Sequence, residues 1–241
     1  MLRAITDPLL SLAYPQECRV CQGSVSRHSD GVACEECWQD TRIFNGTEML
    51  CSKCGAFFSD TAAPMPVYCH KCDEHHYDKA IALGVYEKAL SASILALKVS
   101  PAIPSRLARM LSDSASSIAA DHDLVVPVPL SKLRLIERGF DQAELIAKLV
   151  SKSCDVPVDA ASLRRKKHTP IHRMGMDQRA RELTVEKAFE VVRPKLIDGR
   201  RVLLVDDVLT SGSTASACAS VLKKNGAASV TVFTLARAVM R

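Results

Sequence analysis

Val202-Leu203-Leu204-Val205-Asp206-Asp207-Val208-Leu209-Thr210-Ser211-Gly212-Ser213-Thr214 is the stretch from which the chain is best read. Four apolar residues form a run of the kind buried in a parallel sheet. Two carboxylates emerge at its end, and a loop of small hydroxylated residues turns into a helix. Such a loop at a helix N-terminus offers backbone N–H groups and hydroxyls to an anion, which suits a phosphate monoester. Gly212 lets the backbone approach closely and adopt a conformation that a Cβ forbids. The adjacent carboxylates Asp206 and Asp207 can accept hydrogen bonds from a vicinal diol. As a whole the run reads as a site for a ribose 5-phosphate.

Outward from this stretch, the pattern is α/β. Residues 201–205 predict a strand, 214–224 a helix and 229–235 a further strand. Upstream, 81–86 and 124–128 read as strands, and 89–98, 106–120 and 142–152 as helices. Strand, helix, strand in this order is a right-handed crossover unit, so the sheet is expected to be parallel, with ligands beyond the carboxyl ends of its strands. Between the 124–128 strand and the 142–152 helix lies a basic loop, 131–139, with Lys132, Arg134 and Arg138 ahead of Gly139. Planar Arg donors pair bidentately with phosphate, so this loop is the candidate for a pyrophosphate.

Before residue 77 the chain changes character. Eight of its ten cysteines fall into four Cys-x-x-Cys knuckles: Cys18 and Cys21, Cys34 and Cys37, Cys51 and Cys54, Cys69 and Cys72. Four knuckles in succession, with no βαβ pattern around them, point to two zinc sites of four thiolates each. Cys51 lies 33 residues after Cys18, which suggests a repeated unit and pairing in sequence, with an interleaved cross-brace as the alternative. Eight thiolates fill two tetrahedral sites, so the zinc is expected to be structural. Apolar residues between the knuckles are few, and metal binding should supply most of the folding energy there. His70, His75 and His76 read as surface histidines beside a closed site, and Cys154 and Cys218 as small hydrophobes. The expected organisation is a double zinc ribbon over 1–76 and an α/β domain over 77–241.

A composition of 47% hydrophobic and 24% charged residues over 241 residues belongs to an ordinary globular chain rather than a disordered one. The net charge of +5 permits phosphate-rich partners without requiring them. No window approaches the roughly 18 uncharged apolar residues of a membrane span. Residues 1–15 are interrupted by Asp7 and Pro8 and lack the features of a signal peptide, so the expected location is the cytoplasm.

The 202–214 run resembles, along its whole length, the signature with which type I phosphoribosyltransferases bind phosphoribosyl pyrophosphate (PRPP). Together with the knuckles, the chain resembles the ComF and GntX-like family of bacterial double-zinc-ribbon proteins. The segments that carry this second likeness are Val125-Val126-Pro127-Val128-Pro129-Leu130, Glu137-Arg138-Gly139-Phe140-Asp141-Gln142-Ala143 and Thr234-Leu235-Ala236-Arg237. The resemblance implies a type I phosphoribosyltransferase fold in which Asp206 and Asp207 hold the ribose hydroxyls. Thr210, Ser211, Gly212, Ser213 and Thr214 would hold the 5-phosphate, and Mg²⁺ would accompany PRPP. The run Arg164-Arg165-Lys166-Lys167-His168-Thr169-Pro170 resembles the start of the mobile hood that closes over PRPP in this fold.

Some positions depart from the family pattern. His172 stands where a Gln is expected, Thr184 where an Asn is usual, and Lys187 where a Gly is. Val99-Ser100-Pro101 replaces a basic glycine-containing loop. Thr210 occupies the place where 6-oxopurine salvage members resembling this motif carry an acidic base, which disfavours that class. Two functions follow from the resemblance. One is a phosphoribosyltransferase of unknown acceptor that inverts the anomeric carbon and releases pyrophosphate, with catalytic residues unassigned apart from His172 as a candidate base. The other is a nucleic-acid handling or regulatory module, tied to DNA uptake, with single-stranded nucleic acid or a DNA-uptake protein as partner.

Overall fold

The computed structural model describes residues 14–61, 65–118, 121–166 and 188–239. In each ribbon the regular structure is scant. Strand β1 (Gln16–Glu17) pairs antiparallel with β2 (Ser24–Val25), and β3 (Met49–Leu50) with β4 (Phe57–Ser59). Helix α1 (Glu35–Gln39) carries Cys37 and Trp38 into the interior. Two-stranded pieces of this size cannot bury a core alone, and both ribbons bury their apolar side chains against the remainder of the chain.

That remainder is built on a four-stranded sheet, all parallel, from β5 (Lys79–Val85), β6 (Leu124–Pro127), β9 (Arg201–Leu209) and β10 (Ser229–Arg237) in the order β5-β10-β9-β6. A separate antiparallel pair, β7 (Leu163–Arg165) and β8 (Phe189–Val191), stands beside it. Register sets Val230 opposite Val202 and Leu124 opposite Val202, so the apolar run of β9 is flanked by strands on both sides. Alternation along the strands then makes two cores. Leu203, Val205, Phe233 and Leu235 face one side, and Val202, Leu204, Val230 and Val232 the other. The first core includes Cys18, Cys34, Cys37 and Trp38, and the second Cys51, Cys54, Cys72 and Tyr77. One ribbon is therefore built into each face of the sheet.

Helices α2 (Lys88–Ala96), α3 (Ser105–Ile118) and α5 (Gln142–Cys154) cover the first face. On α3 the buried residues Leu107, Leu111 and Ala115 recur every four positions and form one stripe. Helix α7 (Ser213–Lys224), with the single turn α6 (Pro194–Ile197), covers the second face. The outer edge of β5 is closed by the chain leaving the first ribbon. Phe44 N donates to Leu83 O at 2.8 Å and Val85 N to Arg42 O at 2.9 Å. A Cβ at Gly84 would collide with the Arg42 carbonyl, so this close crossing needs glycine. An edge covered in this way cannot template pairing with another chain.

The parallel sheet agrees with expectation, and strands and helices fall within a few residues of their predicted bounds. Three local features differ. The 131–139 segment is a helix, α4 (Lys132–Arg138), because Ser131 Oγ caps its first turn and Gly139, at φ 77, ends it. Asp206 and Asp207 lie within β9, not beyond it, since pairing with β10 continues to Leu209. Arg164 and Arg165 sit in β7, held in register with Glu190 and Phe189, rather than opening a loop. Lys167, His168, Thr169, Pro170, His172, Thr184 and Lys187 lie outside the described residues. Among the described residues, no helix is long and apolar enough to cross a membrane.

Candidate functional site

The carboxyl ends of β9 and β10 carry the residues that matter. The strand delivers Asp206 and Asp207 side by side, each half-buried, and Asp206 Oδ1 accepts the Asp207 N–H at 2.8 Å. Burial first, and then the neighbouring Asp207 carboxylate, push the Asp206 carboxyl well above its usual range. Lys98, just past α2, brings its Nζ within 4.0 Å of Asp207 Oδ2. That cation was not foreseen as part of the site. In the sequence Lys98 stands only at a helix end, before a segment that lacks the usual basic loop.

After β9 the chain exposes Thr210 and Ser211, takes φ 83 at Gly212 and enters α7, with Ser213 and Thr214 in its first turn. The hydroxyls of Ser211 and Ser213 lie 3.0 Å apart, and Gly212 O accepts the Ser216 N–H at 2.8 Å. The loop thus has small polar side chains and a helix N-terminus on its open side. Its back is made by the second ribbon. A Cβ on Gly212 would stand 2.7 Å from His75 Nε2 and 3.0 Å from the Tyr77 hydroxyl. His76 N donates to Ser216 Oγ at 3.1 Å. His75 is half-buried between the loop and the Tyr77 ring, 5.0 Å away between centroids, and so is not the surface residue that was expected. The Tyr77 hydroxyl is buried and has no hydrogen-bond partner among the described residues.

Of the basic residues, Lys132 is exposed on α4, Arg134 is half-buried, and Arg138 donates to Gln142 Oε1, while Gly139 only ends the helix. Asp141 caps α5 and accepts Leu130 N at 2.9 Å, which ties the start of this segment to its end. Arg165 stacks on Phe189 at 5.3 Å. Burial lowers its pKa; Arg134 adds to that effect and Asp206 opposes it, so Arg165 lies in the field of both. Arg164, by contrast, is exposed.

The knuckles assemble in sequence order: Cys18, Cys21, Cys34 and Cys37 form one cluster, Cys51, Cys54, Cys69 and Cys72 the other. The cross-brace is excluded. Sulfur separations are 3.8 Å for Cys18 and Cys37, 3.6 Å for Cys21 and Cys34, 3.5 Å for Cys51 and Cys72, and 3.4 Å for Cys54 and Cys69. A tetrahedron of Zn–S bonds of about 2.3 Å has edges of about 3.8 Å, so both clusters fit zinc. Burial works to raise the Cys51 thiol, yet the N–H groups of Cys54, Cys69 and Lys53 bring it down to about 6, whereas burial pushes Cys54 up to about 11 and Cys72 higher still, so Cys51 is the thiol of the three that gives up its proton most readily. With four sulfur ligands each, the sites are structural.

Two family models match the sequence: a double zinc ribbon domain over residues 9–73 and a phosphoribosyl transferase domain over 137–239. Competence protein F of Haemophilus influenzae is 31% identical over 92% of this chain and 96% of its own. The DNA utilization protein YhgH of Escherichia coli is 29% identical over 94% and 99%. Competence protein ComFC of Bacillus subtilis is 32% identical over 52% of this chain and 50% of its own.

Proposed function

Since the chain belongs to the family of competence protein F, with a double zinc ribbon and a phosphoribosyl transferase domain, we propose that it binds PRPP with Mg²⁺ at the carboxyl end of β9. The observation that carries this reading is the juxtaposition of the Asp206 and Asp207 carboxylates with the 210–214 loop at the start of α7. The carboxylates face a ribose diol and the loop a 5-phosphate. Lys132, Arg134 and Arg138 on α4, with Lys98 and Arg165, offer cations to the pyrophosphate. Mg²⁺ would neutralise pyrophosphate oxygens while keeping several of its waters. If turnover occurs, the ribosyl 5-phosphate passes to a nucleophile, the anomeric C–O bond breaks, and pyrophosphate leaves with the bonding electron pair. Thr210 offers no base, which argues against a 6-oxopurine acceptor.

A second reading is nucleic-acid handling in the cytoplasm, favoured by the names of the relatives, which speak of competence and DNA utilization. There the PRPP site would serve binding alone.

Calorimetric titration with PRPP and Mg²⁺ tests the proposal. Binding is expected, and replacing Asp206 and Asp207 together by Asn should weaken it by about 1.5–3 kcal/mol for each charged hydrogen bond lost. Unchanged affinity in that double variant would refute the diol assignment. A panel of purine and pyrimidine bases then separates the readings, since a site can hold PRPP well yet lack the contacts that favour a transition state. Turnover of about 1–1,000 per second on any of them establishes an enzyme. Strongly salt-dependent retention of single-stranded DNA without turnover favours the second reading.

A further inference from the structure

Arg237, at the end of β10, is buried, with 4% of the residue exposed. A buried guanidinium is ordinarily matched by a carboxylate. Arg237 instead donates to carbonyls. Its Nε reaches Cys54 O at 3.2 Å, and its Nη1 reaches Leu209 O at 2.8 Å and the carbonyl of Thr210 as well. Nη2 lies 3.9 Å from Cys54 Sγ. One planar fork thus joins a knuckle of the second ribbon to the two peptides that open the 210–214 loop.

The consequence is stereochemical. In a trans peptide the C=O and the following N–H point in opposite directions. With the carbonyls of Leu209 and Thr210 turned toward Arg237, the N–H groups of Thr210 and Ser211, both exposed residues, are turned away from it. Successive N–H groups aimed one way are what an anion nest requires. The cation carries no carboxylate hydrogen bond among the described residues; its Nη2 faces Cys54 Sγ, so its charge is shared between the thiolates of the second cluster and the carbonyl side of the loop.

We infer that Arg237 is a positioning residue for the 5-phosphate: it fixes the amides of the 210–214 loop toward the phosphate and anchors that loop to Cys54 of the second ribbon. This rests on the PRPP reading above, and it deepens that reading by making the ribbon a component of the phosphate site. It gives a role to the buried cation that closes the family-like ending 234–237.

The test uses the full-length, zinc-loaded chain and its Arg237→Lys and Arg237→Met variants. Zinc content, thermal unfolding, and calorimetric binding of ribose 5-phosphate, PRPP with Mg²⁺, and pyrophosphate with Mg²⁺ are measured on each. Loss of a pre-set loop should weaken ribose 5-phosphate and PRPP about tenfold or more in both variants and leave pyrophosphate within about twofold. A merely structural role would lower all three together. Lys keeps the buried charge without the fork, so Arg237→Lys decides the matter should Arg237→Met fail to fold. Full ribose 5-phosphate affinity in Arg237→Lys with both zinc ions retained overturns the inference. If the parent protein binds pyrophosphate but neither ribose compound, the PRPP reading itself fails, whatever the variants do.

Discussion

Lys98 Nζ stands 4.0 Å from Asp207 Oδ2, and the two side chains are 33% and 21% exposed. A cation from the end of α2 therefore faces one of the two carboxylates, in a setting where solvent screens it only partly. Replacing Lys98 by Met should leave the fold within about 1 kcal/mol of the parent. PRPP binding should weaken by about two- to fivefold, because the acidic pair then meets the incoming pyrophosphate with less neutralisation. Titration at two salt concentrations checks both the loss and its electrostatic origin, since the gap should narrow as salt rises.

Asp206 gives a prediction whose sign can be worked out. Its folded-state pKa is raised above the unfolded value, so the native state holds the proton more tightly than the unfolded chain does. That contribution to stability is complete below the unfolded pKa of about 4 and is lost as pH rises toward the folded pKa. Asn does not titrate. Without ligand, Asp206→Asn should melt at a higher temperature than the parent, by a margin that widens as pH rises above about 4 toward the folded pKa, while PRPP affinity falls. Melting curves across that range decide it; a margin that shrinks with rising pH contradicts the burial of this carboxyl.

The loop and its backing predict opposite outcomes at neighbouring residues. Gly212→Ala must place a Cβ at φ 83, which costs about 1–2 kcal/mol, and 2.7 Å from His75 Nε2. Both stability and phosphate binding should fall. Tyr77→Phe removes a buried hydroxyl that has no hydrogen-bond partner among the described residues, so it should be close to neutral or slightly stabilising. Thermal unfolding of the two variants side by side distinguishes a packed backing from a loose one.

Metal analysis should find two zinc ions per chain, one for each cluster of four cysteines. Because Cys18 lies in the core of one sheet face and Cys51 in that of the other, Cys18→Ser and Cys51→Ser should each lower the stability of the whole chain. Hydrogen exchange should register each loss within the sheet. A chain that loses only its ribbon would show protection unchanged in β9 and β10.

Much of this architecture was legible in the sequence because it depends on local pattern. The apolar run 202–205 reads as a buried strand, the knuckle spacing as two metal sites, and the small-residue loop before Thr214 as a helix start, although β9 continues to Leu209 rather than ending at the carboxylates. Less legible was the segment Ser131 to Gly139, where the basic residues suggested a loop. The capping Ser131 and the terminating Gly139 were the helix signals that went unread. Least legible were the links that join distant positions. Arg237 and Cys54 are 183 residues apart, and no periodicity or motif announces that one will hold the other's carbonyl. His75, three residues beyond the last knuckle, likewise gave no sign that it would back Gly212.

The strand order β5-β10-β9-β6 has a consequence for how the chain is made. Strand β10 leaves the ribosome after every other described strand and helix, yet it sits inside the sheet, between β5 and β9. Both ribbons are synthesised first, and the sheet whose two faces they pack on is not complete until β10 arrives. Zinc can occupy the thiolates early and hold each nascent ribbon in shape during that delay. A ribosome stalled short of Arg237 would then present two metallated ribbons beside an unpaired sheet, an aggregation-prone species for chaperones and proteases to handle.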